Sequence, residues 1–539
     1  MKKEKQRRFC DCRNRHISVQ LPQNQKRGSF RWRESQGLYM KKHIKAIALV
    51  LFAATVTAVA AGCRSGGEKP ASTTDGGSRG TDGEYRANIP DVRFDGEEFT
   101  VMCRSRNSSN GEFAIFGEEP TGVPIENAAY ERNAKIEDMF GIKLTVSEIE
   151  TTRSNGAFYN RLVENHSAGD FITDICIPGI IDAAVLSGDG VFRDLNSVPY
   201  VDLSQPWWQQ SLNESISLLG HQYFAINDML FNDKNDSYVL FFNKSLFDDE
   251  KIAYPYQYVY DNTWTFDRFY SLIKDYGRDL DADGKDFDDA YGVLYNLSDT
   301  YFVGAGIMGA SVDSKTGLPV PLEMTERLVN MYGKVYSLIY DREYTAFDIS
   351  KQDAVVNGSA LNTYRTVFSN GKVLFMNYCL YAYAMFVNDM SFDVGVVPFP
   401  KYDEHQENYY IRAGYLGSTV VSVLSTVPDD STERAGIILE AMAAESKNIV
   451  TPVYYNKLLT NRYAQDDDSK YMIDLIIRSE VIDLDQIFRW GNVLTAIQKE
   501  LHRGSESIGS YYDATKDMIR KKIDGTIQKY RALEEGATV

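Results

Sequence analysis

The chain has 539 residues, and its 75 Asp and Glu outnumber its 58 Lys and Arg, for a formal net charge of −17. A surface that acidic excludes nucleic acid and other anionic polymers as natural partners, while 43% apolar residues set the chain apart from disordered sequences. The length exceeds what one hydrophobic core usually organises, so two lobes are expected.

Residues 1–39 hold 11 Lys or Arg against three acidic residues, a net +8, with no apolar periodicity. At Met40 the character changes. Lys41, Lys42 and Lys45 are followed by an uncharged run from Ala46 to Gly62, and the run closes on Ala60-Ala61-Gly62-Cys63. A basic start, a short apolar stretch and a small-residue end describe a secretory signal. The uncharged run is shorter than the roughly 20 residues of a membrane span, which is the alternative reading. The ending "AAGC" resembles the lipobox of bacterial lipoproteins. That resemblance implies cleavage before Cys63, a lipid on Cys63, and residence on the outer face of the cell membrane. The segment 1–39 then reads as a misassigned extension with Met40 as the true start. Its Phe30-Arg31-Trp32-Arg33 would suit a nucleic-acid arm, but such an arm has no use ahead of an export signal. Without residues 1–62 the charge falls to −28. Of the remaining cysteines, a lipidated Cys63 leaves Cys103, Cys176 and Cys379, an odd number that gives no disulfide framework. Cys103 and Cys176 lie in apolar strand-like runs and read as small buried hydrophobes.

Residues 63–92 are dominated by Gly, Ser, Thr and Asp and read as a flexible tether, with a reach of roughly 30 Å for about 30 residues. The globular part follows. "EEFTVMCR" predicts a strand, Ile125–Phe140 a helix closed by Gly141, and "IKLTVSEI" a second strand. Ala157–His166 predicts a helix, "FITDICIPG" a strand and "IIDAAVLSG" a short helix. Strands separated by helices of this length indicate a parallel sheet and an α/β fold. Ligands of such sheets sit at the carboxyl ends of strands, which singles out the loop Pro178-Gly179-Ile180 and the nearby Asp182. Asp182 reads equally as a solvated first-turn acid.

"SYVLFFNKSLF" lacks strict alternation, as a strand covered on both faces does. Thr265 is a good N-cap for a helix over Phe266–Tyr276, and Trp264 before it reads as a packing anchor. "DLDADGKDFDDAYG" places Asp279, Asp281 and Asp283 at positions 1, 3 and 5 of an EF-type calcium loop, with Gly284 at 6 and the Lys285 carbonyl at 7. Position 12 is Ala290 rather than Glu, so Asp288 or Asp289 has to substitute. The two readings are a structural calcium site and a plain acidic turn; no cofactor is required. Gly304-Ala305-Gly306-Ile307-Met308-Gly309 matches a dinucleotide pattern but does not open a helix, so the match is read as chance. "SVDSKTGLPV" predicts a hairpin, and a helix follows to Tyr340. The C-terminal part is helical, and Ile519, Ile523, Ile527 and Tyr530 recur at helical spacing. His166, His221, His405 and His502 are scattered, and no catalytic constellation stands out.

"SYVLFFNKSLFDD", "NTWTFDRFYSLIKD", "NGKVLFMNYCLYA", "FDVGVVPFPKYDEHQENY" and "YLGSTVVSVLSTV" occur in this order behind the lipobox. Together they resemble the extracellular solute-binding lipoproteins of ABC importers, in particular the sugar and oligosaccharide group related to maltodextrin-binding protein. "ESKNIVTPVYYNKLLTNRYAQDDDSKYMIDLI" is similar to such lipoproteins of Gram-positive clostridia. The resemblance implies a two-lobed α/β fold of the periplasmic-binding-protein type II class with a hinge of three crossings. Mapped onto this chain, the crossings fall near Tyr238–Asn243, Phe375–Cys379 and Val427–Asp430. Lobe 1 is then 93–238 plus 379–428, and lobe 2 is 243–375 plus 430–532. The implied function is a monomeric, lipid-anchored, non-enzymatic receptor that captures a carbohydrate between its lobes and delivers it to permease subunits in the membrane. A receptor for another solute, such as a peptide, and an exported carbohydrate-active enzyme are the alternatives.

Within that frame Trp207 and Trp208 are candidate sugar platforms, because flat indole faces pack on sugar rings and indole N–H groups donate to hydroxyls. Adjacent side chains rarely point the same way, so one is expected in the cleft and one in the core. The resemblance implies a stacking aromatic near Trp490, flanked by Arg489 and Asn492. Asn377, Tyr378 and Tyr381 lie at the second crossing and are hinge or cleft residues by position.

Overall fold

The computed structural model describes residues 83–105, 120–151, 156–231, 234, 236–282, 284, 288–340, 346–348, 366–380, 390–460 and 466–536. Cys63, the signal segment, most of the tether, Asp283, Lys285 and Tyr381 lie outside the described residues. All described residues belong to one compact unit, Thr74–Val539.

The first sheet is built by β1 (Glu98–Arg104), β2 (Lys143–Ile149) and β3 (Ile175–Ile177), in the order β2-β1-β3. All pairs are parallel, with Val101 facing Val146 on one side and Ile175 on the other. Parallel strands need crossover helices, and the sequence supplies them. The Pro124–Phe140 helix has Pro in its first turn and ends on Gly141 at φ 62°. The Ala157–Ala168 helix ends on Gly169 at φ 72°. Both glycines hold the left-handed conformation that stops a helix. The strand expected over residues 171–179 is reduced to the three residues of β3.

The second sheet contains β4 (Tyr238–Asn243), β5 (Tyr291–Tyr295), β8 (Ala346–Asp348), β9 (Val373–Cys379) and β10 (Val394–Val397), in the order β10-β4-β9-β5-β8. β5, β8 and β9 are parallel, and β4 runs antiparallel to both β9 and β10. β4 and β9 are buried almost throughout, which accounts for their unbroken apolar sequences. Asn243 ends β4 by accepting from the Leu246 amide at 3.2 Å, so the expected long strand becomes a strand and a helix. Thr265 caps the Phe266–Ile273 helix, and Trp264 donates to the Pro398 carbonyl at 2.9 Å from the core. Phe375 of β9 centres an aromatic cluster with Phe269 at 5.3 Å and Phe247 at 5.4 Å. A small hairpin, β6 (Ala310–Val312) and β7 (Pro319–Pro321), sits where the sequence places it.

The glycine-rich run has a packing explanation. Residues 299–304 form a short helix, and a strand rather than a helix follows Gly309. The Gly309 and Ala310 amides donate to the buried Asp483 carboxylate at 3.0 Å each. A Cβ on Gly309 would lie 2.7 Å from Asp485 Oδ2, so glycine is required for this close approach and not for a phosphate.

The Asp429–Glu445 helix packs with the first sheet. Arg434 pairs with Glu97 and Asp174, and Arg132 donates to Ser446 at 2.7 Å. Glu97 and Asp174 immediately precede β1 and β3, so these contacts hold the helix beside the first sheet. The return to the second sheet comes later, where Lys244 meets Asp466 at 2.6 Å and Tyr256 meets Ser469 at 3.0 Å. Ile519, Ile523 and Tyr530 bury one face of the Gly509–Glu534 helix as their spacing predicts. Among the described residues, no helix is long and apolar enough to cross a membrane.

Candidate functional site

The carboxyl edges of both sheets converge on residues 411–419. On the first sheet, β3 runs into Pro178 and Gly179; the Ile180 amide donates to the Ser418 carbonyl at 3.0 Å, and Gly179 bridges Thr419. On the second sheet, Tyr238 of β4 lies opposite Cys379 of β9, and the Asp299–Gly304 helix starts just beyond β5. Between the two edges, β11 (Ile411–Arg412) pairs in parallel with β12 (Glu480–Val481). This is the position where α/β sheets hold ligands.

Arg412 is the centre of the chemistry here. Its Nε lies 2.8 Å from Asp299 Oδ2, and both side chains are buried. The guanidinium lies 4.9 Å from the Tyr238 ring and 5.2 Å from the Tyr415 ring. Tyr378 adds a third ring, with its centroid 6.3 Å from that of Tyr238. Burial alone would lower the Arg412 pKa, but the Asp299 carboxylate outweighs it and holds the group cationic. Burial raises the Tyr238 and Tyr378 phenols, with Arg412 only partly offsetting the shift at Tyr238, so both rings stay neutral hydroxyl donors. Three half-buried phenol rings around a fixed ion pair offer apolar faces together with directional donors and acceptors. That set matches a polyhydroxylated ring.

The residues singled out by sequence divide around this site. Tyr378 belongs to it. Asn377 is fully buried behind it, where its Nδ2 donates to the Leu297 carbonyl at 3.1 Å and Thr300 Oγ1 at 3.2 Å, fixing the turn that presents Asp299. Asp182 lies near the first-sheet edge but is buried rather than solvated. Trp490 is buried against Phe488, with centroids 4.8 Å apart, and donates to Thr526 at 2.9 Å. Trp207 and Trp208 are both in the core, correcting the expectation of one in the cleft. Their Nε1 atoms donate to Glu440 Oε1 at 2.9 Å and Oε2 at 3.0 Å, so one buried carboxylate draws both indoles inward.

In the acidic loop, Asp279, Asp281 and Asp289 each offer a carboxylate oxygen within 4.8 Å of the others. Asp289 is buried and accepts from the Leu280 amide at 2.9 Å; Asp279 accepts from Ala282 at 2.7 Å. Asp288 is exposed, and its carboxylate accepts from Asn370 at 3.0 Å. Of the two substitutes for position 12, the structure brings Asp289 to the group.

Sequence reading missed Arg412, Asp299, Tyr238 and Tyr415. Tyr238 enters only as one end of the expected first crossing, and Asp299 is not singled out. The available signal was Arg412 itself, a lone cation in the apolar run "YYIRAGY", since such a residue must find a buried partner.

No protein-family model and no curated protein matches the chain. Solved structures do. The cyclic alpha-maltosyl-1,6-maltose binding protein from Arthrobacter globiformis aligns over 80% of this chain and 100% of its own, at 14% identity and a TM-score of 0.51. UgpB from Mycobacterium tuberculosis, in complex with glycerophosphocholine, aligns over 81% and 99% at 12% identity and a TM-score of 0.49. An ABC substrate-binding protein from Listeria monocytogenes, in complex with cycloalternan, aligns over 82% and 100% at 15% identity and a TM-score of 0.46. The fold is therefore the α/β type II binding-protein fold, shared with the Arthrobacter protein over its whole length.

Proposed function

We propose that this protein is a lipid-anchored receptor that takes up a carbohydrate at the 411–419 site and presents it to an ABC permease. The observation that carries the reading is the placement of the Arg412–Asp299 pair among Tyr238, Tyr378 and Tyr415, where the carboxyl edges of the two sheets meet. The fold shared with a cyclic maltosyl-maltose binding protein supports the solute class. The lipobox-like ending at Cys63 supports the anchor, and the tether after it keeps the receptor local to a membrane partner, raising its effective concentration. A receptor of this kind binds its ligand stoichiometrically and leaves it unchanged. Ligand binding shifts an open–closed equilibrium only by its differential affinity for the two states.

The test is a thermal-shift and calorimetry panel of mono- and oligosaccharides, with peptides as the competing class. At least one saccharide should bind at micromolar affinity or better, about −8 kcal/mol, and Tyr378→Ala should weaken it by about tenfold. Stabilisation by peptides alone would overturn the reading. The acidic loop would hold a structural calcium ion through Asp279, Asp281 and Asp289, completed by Asp283 and the Lys285 carbonyl. Calcium should then raise the melting midpoint and a chelator lower it; an unchanged midpoint in both would remove calcium from the account.

A further inference from the structure

An arginine among aromatic rings is a common anchor for a carboxylate or phosphate on a guest. At the 411–419 site that anchor is already taken. Arg412 Nε lies 2.8 Å from Asp299 Oδ2, and both side chains are buried, so the cation's charge is met inside the protein. What a guest meets instead is set by the carboxylates around this pair.

Asp236 is the one placed to meet it. It stands two residues before Tyr238, just ahead of β4, and is half-buried where Asp299 is buried. Gly414 makes room for it. A Cβ at position 414 would lie 2.1 Å from Asp236 Cβ and 2.9 Å from Asp236 Oδ2, so the carboxylate rests against the backbone between Arg412 and Tyr415. Its charge reaches the third ring of the site as well: burial is the main cause of the raised Tyr378 phenol, and Cys379 and Asp236 add to it. Glu480 is fully buried next to this acid, where it accepts from Ser237 Oγ and lies opposite Ile411 in the β11–β12 pair. Lys234, two residues before Asp236, is buried with its Nζ 3.8 Å from Asp228. The charges named around Arg412 are thus three carboxylates against one cation, and that cation is committed to Asp299.

We propose that Asp236 is a specificity-determining residue of the 411–419 site, a charge filter that admits uncharged saccharides and turns away those bearing a carboxylate or sulfate. The inference rests on the saccharide reading of this site and adds the charge class of the guest. An acidic sugar laid against the three phenols brings its charge beside the Asp236 carboxylate, with the guanidinium already engaged. Like charges so juxtaposed weaken binding strongly. A neutral sugar meets the same carboxylate as an acceptor for its hydroxyls.

Calorimetric titration of the intact protein with matched trisaccharides of the gluco, galacto and manno series tests this. Each series has three members: the neutral hexose form, the form with C6 oxidised to the uronate, and the uronamide, which keeps the uronate's shape without its charge. In the series that binds, the uronate should be at least about tenfold weaker than the hexose form, and the uronamide should stand closer to the hexose form than to the uronate. Asp236→Asn removes the charge at nearly constant shape. It should retain the melting midpoint and narrow the hexose-to-uronate ratio by at least about threefold, a ratio that a merely structural role would not move. Uronates that bind at least as tightly as hexose forms, a uronamide as weak as its uronate, or an unchanged ratio in the variant would overturn the filter and leave the saccharide reading in place. Absence of binding by every saccharide would overturn that reading and the filter with it.

Discussion

Single residues were the least legible scale. Trp207 and Trp208 look like exposed platforms because they stand in a polar stretch, and the usual divergence of neighbours argues against burying both. What reverses this is Glu440, 232 residues beyond Trp208, whose carboxylate accepts one indole at each oxygen. Long-range pairing of that kind leaves no local trace. It does leave a measurable one. Burial raises the Glu440 pKa from 4.5 to about 7, against the lowering effect of the two indole bonds. The native state therefore holds this proton more tightly than the unfolded chain. Stability from this group falls as pH rises from about 4.5 to about 7, by roughly 3 kcal/mol, and levels off above. Chemical denaturation across that range should show the slope, and Glu440→Gln should remove it. The variant should also lose about 1–3 kcal/mol under acidic conditions, because an amide N–H then faces an indole N–H.

Elements were read more faithfully, since they follow from local rules. Gly141, Gly169 and Thr265 act as the helix stops and cap their positions imply. The expected strand over residues 171–179 shrank because β3 pairs with a full strand only at β1; its other side meets isolated bridges from residues 419 and 422. Contacts that fasten elements to one another were not readable, and His221 is the clearest case. Its Nδ1 meets Asp194 and its Nε2 meets Glu534, both at 2.8 Å, so the ring bolts the end of the 509–534 helix to the 194–221 region. Tyr223 stacks on it at 5.5 Å, and Tyr530 faces it edge-on. Burial works to lower the His221 pKa, but Glu534 and Asp194 prevail and raise it above 6.5. A raised histidine stabilises fully below its unfolded value, and the contribution is lost as pH rises through the folded one. Amide exchange over the last turns of that helix should accelerate as pH rises above 6.5, beyond the intrinsic pH dependence of exchange. His221→Gln should abolish the step; an unchanged step in the variant would clear His221 of the role.

At the level of the whole molecule, the alternation of strands and helices and the two-part architecture were visible in the sequence, while the second return of the chain was not. The 429–445 helix is held by contacts that leave no local trace in the sequence: Arg434 with Glu97 and Asp174, and Glu440 with the two indoles. Cys103 and Cys176 are buried, as their apolar strand-like runs imply, and Cys379 is buried as well. The proposed anchor makes a direct prediction for the intact product: the protein recovered from its native membrane should begin at a lipid-bearing Cys63. Mass spectrometry of its terminal peptides decides this, and recovery of peptides from residues 1–39 would overturn both the start at Met40 and the cleavage.

The segment that joins the two carboxyl edges has a mechanical meaning. Arg412 is fastened to one sheet's edge through Asp299, and Thr419 to the other's through Gly179, only seven residues later. A chain that short acts as a leash. Pulled taut it spans at most about 25 Å, so while the Arg412–Asp299 pair and the Gly179–Thr419 bridge hold, the two edges can part no further than this length of chain allows.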